Sequence, residues 1–191
     1  MLNSLPFDLQ TAFDEQLRPY PLHPLQVKGA LLYVRARLEH AQLSKAVEIG
    51  YLEKKAYLLG LTQEYTAAAA CFEDILERLT QASLDGSTVE AKRISNRIRL
   101  GHMYQLQKNF QKSNALFTEL LTEYDGWPEH LRKHYGHFLW QHAGKNALDQ
   151  KRYAEAQTFF EKALSYRQEN QLGQELIDST QLALDVLKQR I

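Results

Sequence analysis

Residues 153–164 read YAEAQTFFEKAL, and the same pattern occurs twice more, as YTAAAACFEDIL at 65–76 and FQKSNALFTELL at 110–121. Each begins on an aromatic (Tyr65, Phe110, Tyr153) and places a small residue three positions on (Ala68, Ser113, Ala156). A phenylalanine follows after four more (Phe72, Phe117, Phe160), and an apolar pair closes the segment. Steps of three and four put all of these on one stripe of an α-helix. Phe72 to Phe117 is 45 residues and Phe117 to Phe160 is 43, so the chain repeats a unit longer than one helix. The register extends backwards: Leu100-Gly101-x2-Tyr104 matches Ala143-Gly144-x2-Ala147 and, more loosely, Lys55-Ala56-x2-Leu59. Each repeat therefore reads as a helical hairpin whose second helix carries the phenylalanine.

Working outward, the expected helices lie near 5–18, 25–41, 44–61, 65–81, 88–107, 110–124, 128–149, 153–169 and 174–190. Strand-like alternation is absent throughout, while Leu25, Leu31 or Leu32, Val34 or Arg35, and Leu38 recur at helical spacing. Ser87 and Glu90 form an S-x-x-E capping box. Pro128 suits a first helical turn, and Asp85-Gly86 and Asp125-Gly126 are turn pairs. The fold expected is all-α, a right-handed stack of antiparallel hairpins in a single domain over 1–191. Within it 1–47 form an N-terminal helical extension, 48–81, 88–124 and 128–170 the repeats, and 174–191 a capping helix that turns Leu176, Ala183, Leu184, Leu187 and Ile191 inward.

At these residues the chain resembles the tetratricopeptide repeat family, whose pattern is W-x2-L-G-x2-Y, then A-x3-F, then P. The third repeat supplies Trp140, Gly144, Ala156 and Phe160, and the second Leu100, Gly101, Tyr104 and Phe117. The first keeps only Ala68 and Phe72. Small residues at Ala56, Gly101 and Gly144 suit a close approach of the two helices of a hairpin. The phenylalanines would fill the space between hairpins, since no hairpin buries its apolar face alone. Thr80, Asp125 and Gln168 stand where the family has its closing Pro, and the spacing exceeds the family's 34 residues. Longer repeats of this kind are similar to those of kinesin light chains and bacterial peptide receptors.

Composition narrows the classes of function. The 191 residues carry 23 Lys+Arg and 23 Asp+Glu, so the whole chain lacks the basic footprint of a nucleic-acid binder. No apolar run approaches bilayer thickness. The opening MLNSLPFDLQ has no basic n-region and includes Asp8, against a secretory leader. The lone Cys71 forms no intramolecular disulfide and reads as a small core residue, and the expected location is cytoplasmic. No phosphate loop or nucleophile elbow is present, so no enzyme, cofactor or catalytic residue is expected. His130, His134 and His137 share an arc of about 60°, a permissive spacing for zinc. Leu131, Arg132 and Lys133 nevertheless replace the Glu-x-x of a zinc-protease helix, and no metal is expected. A metal-assisted hydrolase on this helix is the reading from a different class.

The resemblance implies that the first helices of the hairpins line a concave groove. The residues it places there are Glu53 and Tyr57 in the first repeat, Ile98, His102 and Gln105 in the second, and His134, Phe138, Gln141 and Lys145 in the third. This mixture suits a protein or peptide ligand. Between Ala91 and Thr118 there is no acid, while Lys92, Arg93, Arg97, Arg99, Lys108 and Lys112 are present, which points to an acidic partner. The function expected is a non-enzymatic peptide- or protein-binding module. A receptor for a small signalling peptide acting through a partner is the alternative within that class, and a homo-oligomer joined through its terminal helices is a third reading.

Overall fold

The computed structural model describes residues 5–81 and 85–191. In order it contains β1 (Thr11–Phe13), β2 (Pro19–Pro21), α1 (Pro24–His40), α2 (Lys45–Leu61), α3 (Tyr65–Gln81) and α4 (Gly86–Leu106). There follow α5 (Phe110–Glu123), a 3-10 turn (Tyr124–Gly126), α6 (Glu129–Asp149), α7 (Tyr153–Glu169) and α8 (Gln174–Lys188). Helix predominates, as the all-α reading requires. The first four residues, part of the opening read for a leader, lie outside the description. The chain divides into two compact units, Met1–Gln107 and Lys108–Ile191, with the boundary in the turn after α4.

The expected helix over 5–18 is not there. Thr11–Phe13 pairs antiparallel with Pro19–Pro21, Ala12 opposite Tyr20. The Asp14 carboxylate accepts from the backbone N–H groups of Gln16 and Arg18, both at 2.8 Å, and so folds the connection that reverses the chain. Pro19 and Pro21 cannot donate to a helical ladder but are tolerated at a two-strand edge. The cap of α4 also differs from expectation. Asp85, not Ser87, is the N-cap, accepting from the N–H groups of Ser87 and Thr88.

In unit 1, α1, α2, α3 and α4 pack in sequence, each on the one before. The core holds Val27, Ala30 and Val34 of α1, Ile49, Ala56 and Leu59 of α2, and Phe72, Ile75 and Leu79 of α3. Side chains also join α2 to α4. Glu53 meets Lys92 and Asn96, and farther along both helices Gly60 faces Met103, whose sulfur would stand 3.4 Å from a Cβ built on the glycine. The pairings rise together, so α2 and α4 lie side by side and run the same way.

In unit 2, α5, α6, α7 and α8 likewise pack consecutively. Phe117 and Phe160 are buried, as Phe72 is in unit 1. A Cβ built on Gly144 would stand 2.5 Å from Cε1 of Phe160, so only glycine permits this approach of α6 and α7. Ile191, expected to face inward, lies past the end of α8 and is exposed, while Ala183, Leu184 and Leu187 are buried as expected and Leu176 is half-buried.

The turns that end α2, α4, α6 and α7 share one conformation. Gln63, Lys108, Lys151 and Gln171 all have positive φ, at 63°, 58°, 60° and 50°. In three of them the surrounding hydrogen bonds are the same pair: Gln63 to Gly60 and Glu64 to Leu59, Lys151 to Leu148 and Arg152 to Ala147, Gln171 to Gln168 and Leu172 to Arg167. This is the Schellman motif with a non-glycine residue in the left-handed position. Gln63, Lys108 and Lys151 are spaced by the same 45 and 43 residues as the phenylalanines.

Candidate functional site

On α2 the first expected groove residue, Glu53, is buried. A carboxylate removed from water must be paired, and Glu53 takes Nζ of Lys92 at 2.8 Å and Nδ2 of Asn96 at 2.9 Å. Lys92, one of the bases read as a surface for an acidic ligand, is thereby committed to the fold. Tyr57, one turn on, is half-buried. Burial pushes its phenol pKa up, opposed by the Arg99 charge and by a hydrogen bond to the Thr11 side chain.

Thr11 belongs to the N-terminal hairpin, and β2 packs on α2. At the hairpin's turn, Asp14 and Arg18 lie close enough to Tyr65 to act on its phenol with opposite signs, although burial is the larger influence and raises that pKa. Leu17 is buried. The face of α2 that sequence reasoning leaves open to a ligand thus carries an extended segment of the chain itself. On α4, Ile98, His102 and Gln105 are all buried. His102 Nδ1 and Gln105 Oε1 lie 2.8 Å apart, a hydrogen bond made with the ring proton on Nδ1.

In unit 2 the four expected residues on α6 have different surroundings. His134 is exposed, its ring edge-on to Tyr135 with centroids 4.6 Å apart. Phe138 is half-buried, and Gln141 and Lys145 are buried. Phe138 and Gln141 converge on a residue that sequence reasoning missed, Arg167 in the last turn of α7. Its side chain is among the largest fully buried ones. Nε donates to Nδ1 of His137 at 3.1 Å, and Nη1 donates to the Leu176 carbonyl at 2.6 Å, to Ser179 Oγ at 3.3 Å, to Gln141 Oε1 at 3.4 Å and to the Thr180 hydroxyl. The Phe138 ring lies 5.8 Å from its central carbon.

Among the described residues every acceptor of Arg167 is neutral. Burial lowers its pKa to about 10, which leaves it cationic at neutral pH. Burial, and then the Arg167 charge, pushes His137 down to about 4, so its Nδ1 lone pair stays free to accept. The guanidinium fastens the start of α8 to α6 and α7. An arginine near the end of an otherwise amphipathic helix carries the sequence signal of a solvated residue, which is why it escaped notice.

No family model matches this chain, and no curated protein matches it. The site therefore stands on its own geometry. His134 and His137 diverge, one to solvent and the other to Arg167, so they do not present two nitrogens to one ion. His130 is exposed. Cys71 is buried, its thiol 3.4 Å from the Leu52 carbonyl, and burial raises its pKa, the opposite of what an activated thiolate needs. Among the described residues no helix is long and apolar enough to cross a membrane.

Proposed function

We propose that this chain is a non-enzymatic interaction module of tetratricopeptide-like helical hairpins, binding extended polypeptide on the first-helix face of unit 1. The observation that carries the reading is the N-terminal hairpin: a stretch of extended backbone already rests on α2, with the Thr11 side chain close enough to Tyr57 to act on its phenol. A face that holds one extended segment offers the polar and aromatic contacts a second would use. The repeat reading is supported by the buried phenylalanines, by the parallel course of α2 and α4, and by left-handed turns recurring at the repeat spacing. With Lys92 tied to Glu53, preference for an acidic segment rests on Arg99 beside Tyr57 and on the exposed Arg93.

An array of short synthetic peptides probed with the full chain tests this. Binding of extended sequences that is lost in Tyr57→Ala and weakened in Arg99→Glu is the expected result. Binding indifferent to both substitutions would remove the face from consideration. The hydrolase reading rests on His130 and His134, and no comparable observation favours it: both are exposed, and among the described residues no group of three potential metal ligands is gathered.

A further inference from the structure

Helix α1 carries two apolar stripes, and only one of them is used. Val27, Ala30, Leu31 and Val34 face α2 and are buried. On the opposite side Leu25 is 82% exposed and Leu32 66% exposed. Sequence reading grouped Leu25 and Val34 on one face, but at about 100° per residue they are roughly half a turn apart. Lys28 and Arg35 lie together along one edge of the exposed stripe, and about 80° of arc holds Leu25, Leu32, Lys28 and Arg35 in that order.

The outward face of α8 has the complementary pattern. Asp178 and Asp185 are exposed, seven residues apart like Lys28 and Arg35, and Leu182 lies between them, 39% exposed. The nearest partners of the two aspartates are weak and solvent-exposed: Gln174 at 2.7 Å from Asp178, and Gln181 at 3.0 Å and Lys188 at 3.7 Å from Asp185. Seven residues of helix span about 10 Å, so the two charge pairs are matched in length.

We propose that the exposed face of α1 is a docking surface for α8 of a second copy of this chain. An antiparallel register that sets Lys28 beside Asp185 and Arg35 beside Asp178 brings Leu182 within one residue, about 1.5 Å of rise, of Leu32. Two copies of α1 facing one another would instead oppose basic residues, so the complementarity selects α8. The contact uses different faces on the two copies. Each copy joined in this way still offers one unused face, and addition can continue past a dimer. The inference is independent of the peptide-binding reading and survives its failure.

Light scattering of the full chain over rising concentration tests it. The expected result is a mass that grows with concentration at low salt and returns toward monomer at about 1 M salt, where screening acts within about 3 Å. The paired variants K28E/R35E and D178K/D185K should each weaken association at least about tenfold. All four positions are exposed, so circular dichroism should be unchanged. Mixed in equal amounts, the two variants should associate again, because the acidic α1 of one then meets the basic α8 of the other. A wild-type chain that stays monomeric, variants that associate like wild type, or a mixture that fails to recover would each overturn the proposal.

Discussion

In unit 1 a buried charge, Glu53, is met by Lys92 at 2.8 Å and Asn96 at 2.9 Å; in unit 2 the most deeply buried charge, Arg167, is met by a histidine, a glutamine, two hydroxyls and a carbonyl. The acid has a base whose side chain retains some access to water, 18% against 5% for the carboxylate. Among the described residues the base has no acid. The first arrangement ties α2 to α4 through a pair that can relax outward when broken. The second joins three helices through one side chain, and its loss strands several acceptors at once. The two units thus reach similar helix packing with unequal tolerance to damage.

The largest expected effect exploits that inequality. Arg167→Ala leaves a cavity and unsatisfied acceptors, and should destabilise the chain by about 3–5 kcal/mol. Glu53→Ala should cost less, about 1–3 kcal/mol, because Lys92 can turn toward solvent. Arg167→Met, which restores volume but not hydrogen bonds, should fall between Arg167→Ala and wild type. Urea unfolding of the three variants gives the order, and equal losses for Glu53→Ala and Arg167→Ala would erase the distinction.

Acid should weaken the Arg167 cluster next. The folded pKa of His137 is about 4 against an ordinary value of 6.5. Below 6.5 the unfolded chain takes up the proton first, so stability falls with pH until the folded state is protonated too. The contribution is fully present above pH 6.5 and lost between 6.5 and about 4, at most about 3 kcal/mol. His137→Asn can still accept from Arg167 Nε but does not titrate, and this contribution to the acid slope should vanish in it. An unchanged slope would place the acid sensitivity elsewhere.

A smaller contrast lies in the hairpins themselves. Gly144 and Ala56 occupy equivalent positions in the repeat, yet only Ala56 carries a Cβ. Gly144→Ala should cost about 1–3 kcal/mol, since the Phe160 ring must move. A tolerated alanine there would mean that α6 and α7 part easily, and the tight packing would carry little stability.

The repeated helices were legible because their cause is local. Phe72, Phe117 and Phe160 each announce a stripe, and the residues around them agree. What escaped was set by contacts distant in sequence or by backbone geometry without a side-chain signature. Thr11–Phe13 and Pro19–Pro21 are too short to show alternation, and the Asp14 turn that pairs them resembles any polar turn. Leu25 and Val34 both fit an apolar helix, and only the position of α2 decides which one is buried. Among the expected groove residues, Glu53 and Gln141 were placed on the right helices, but their burial depended on Lys92, Asn96 and Arg167, none of which was assigned that role.

The left-handed turns are the subtlest of these omissions and supply the smallest prediction. A glycine would have marked each turn in the sequence, but the chain uses Gln63 and Lys151 at positive φ. A side chain in that conformation costs about 1–2 kcal/mol, while glycine returns part of the gain through its larger unfolded-state entropy. Gln63→Gly and Lys151→Gly should therefore each stabilise the chain by about 0.5–1 kcal/mol. Both side chains are exposed, so little packing is lost. Each substitution acts on the closing turn of a different hairpin, one in each unit, so the two gains should add in the double variant. Lys151→Val should move the other way, because a β-branched residue fits positive φ worst. The midpoint of urea unfolding reads all four variants, and if glycine at either position destabilises, that turn is held by its side chain rather than tolerated in spite of it.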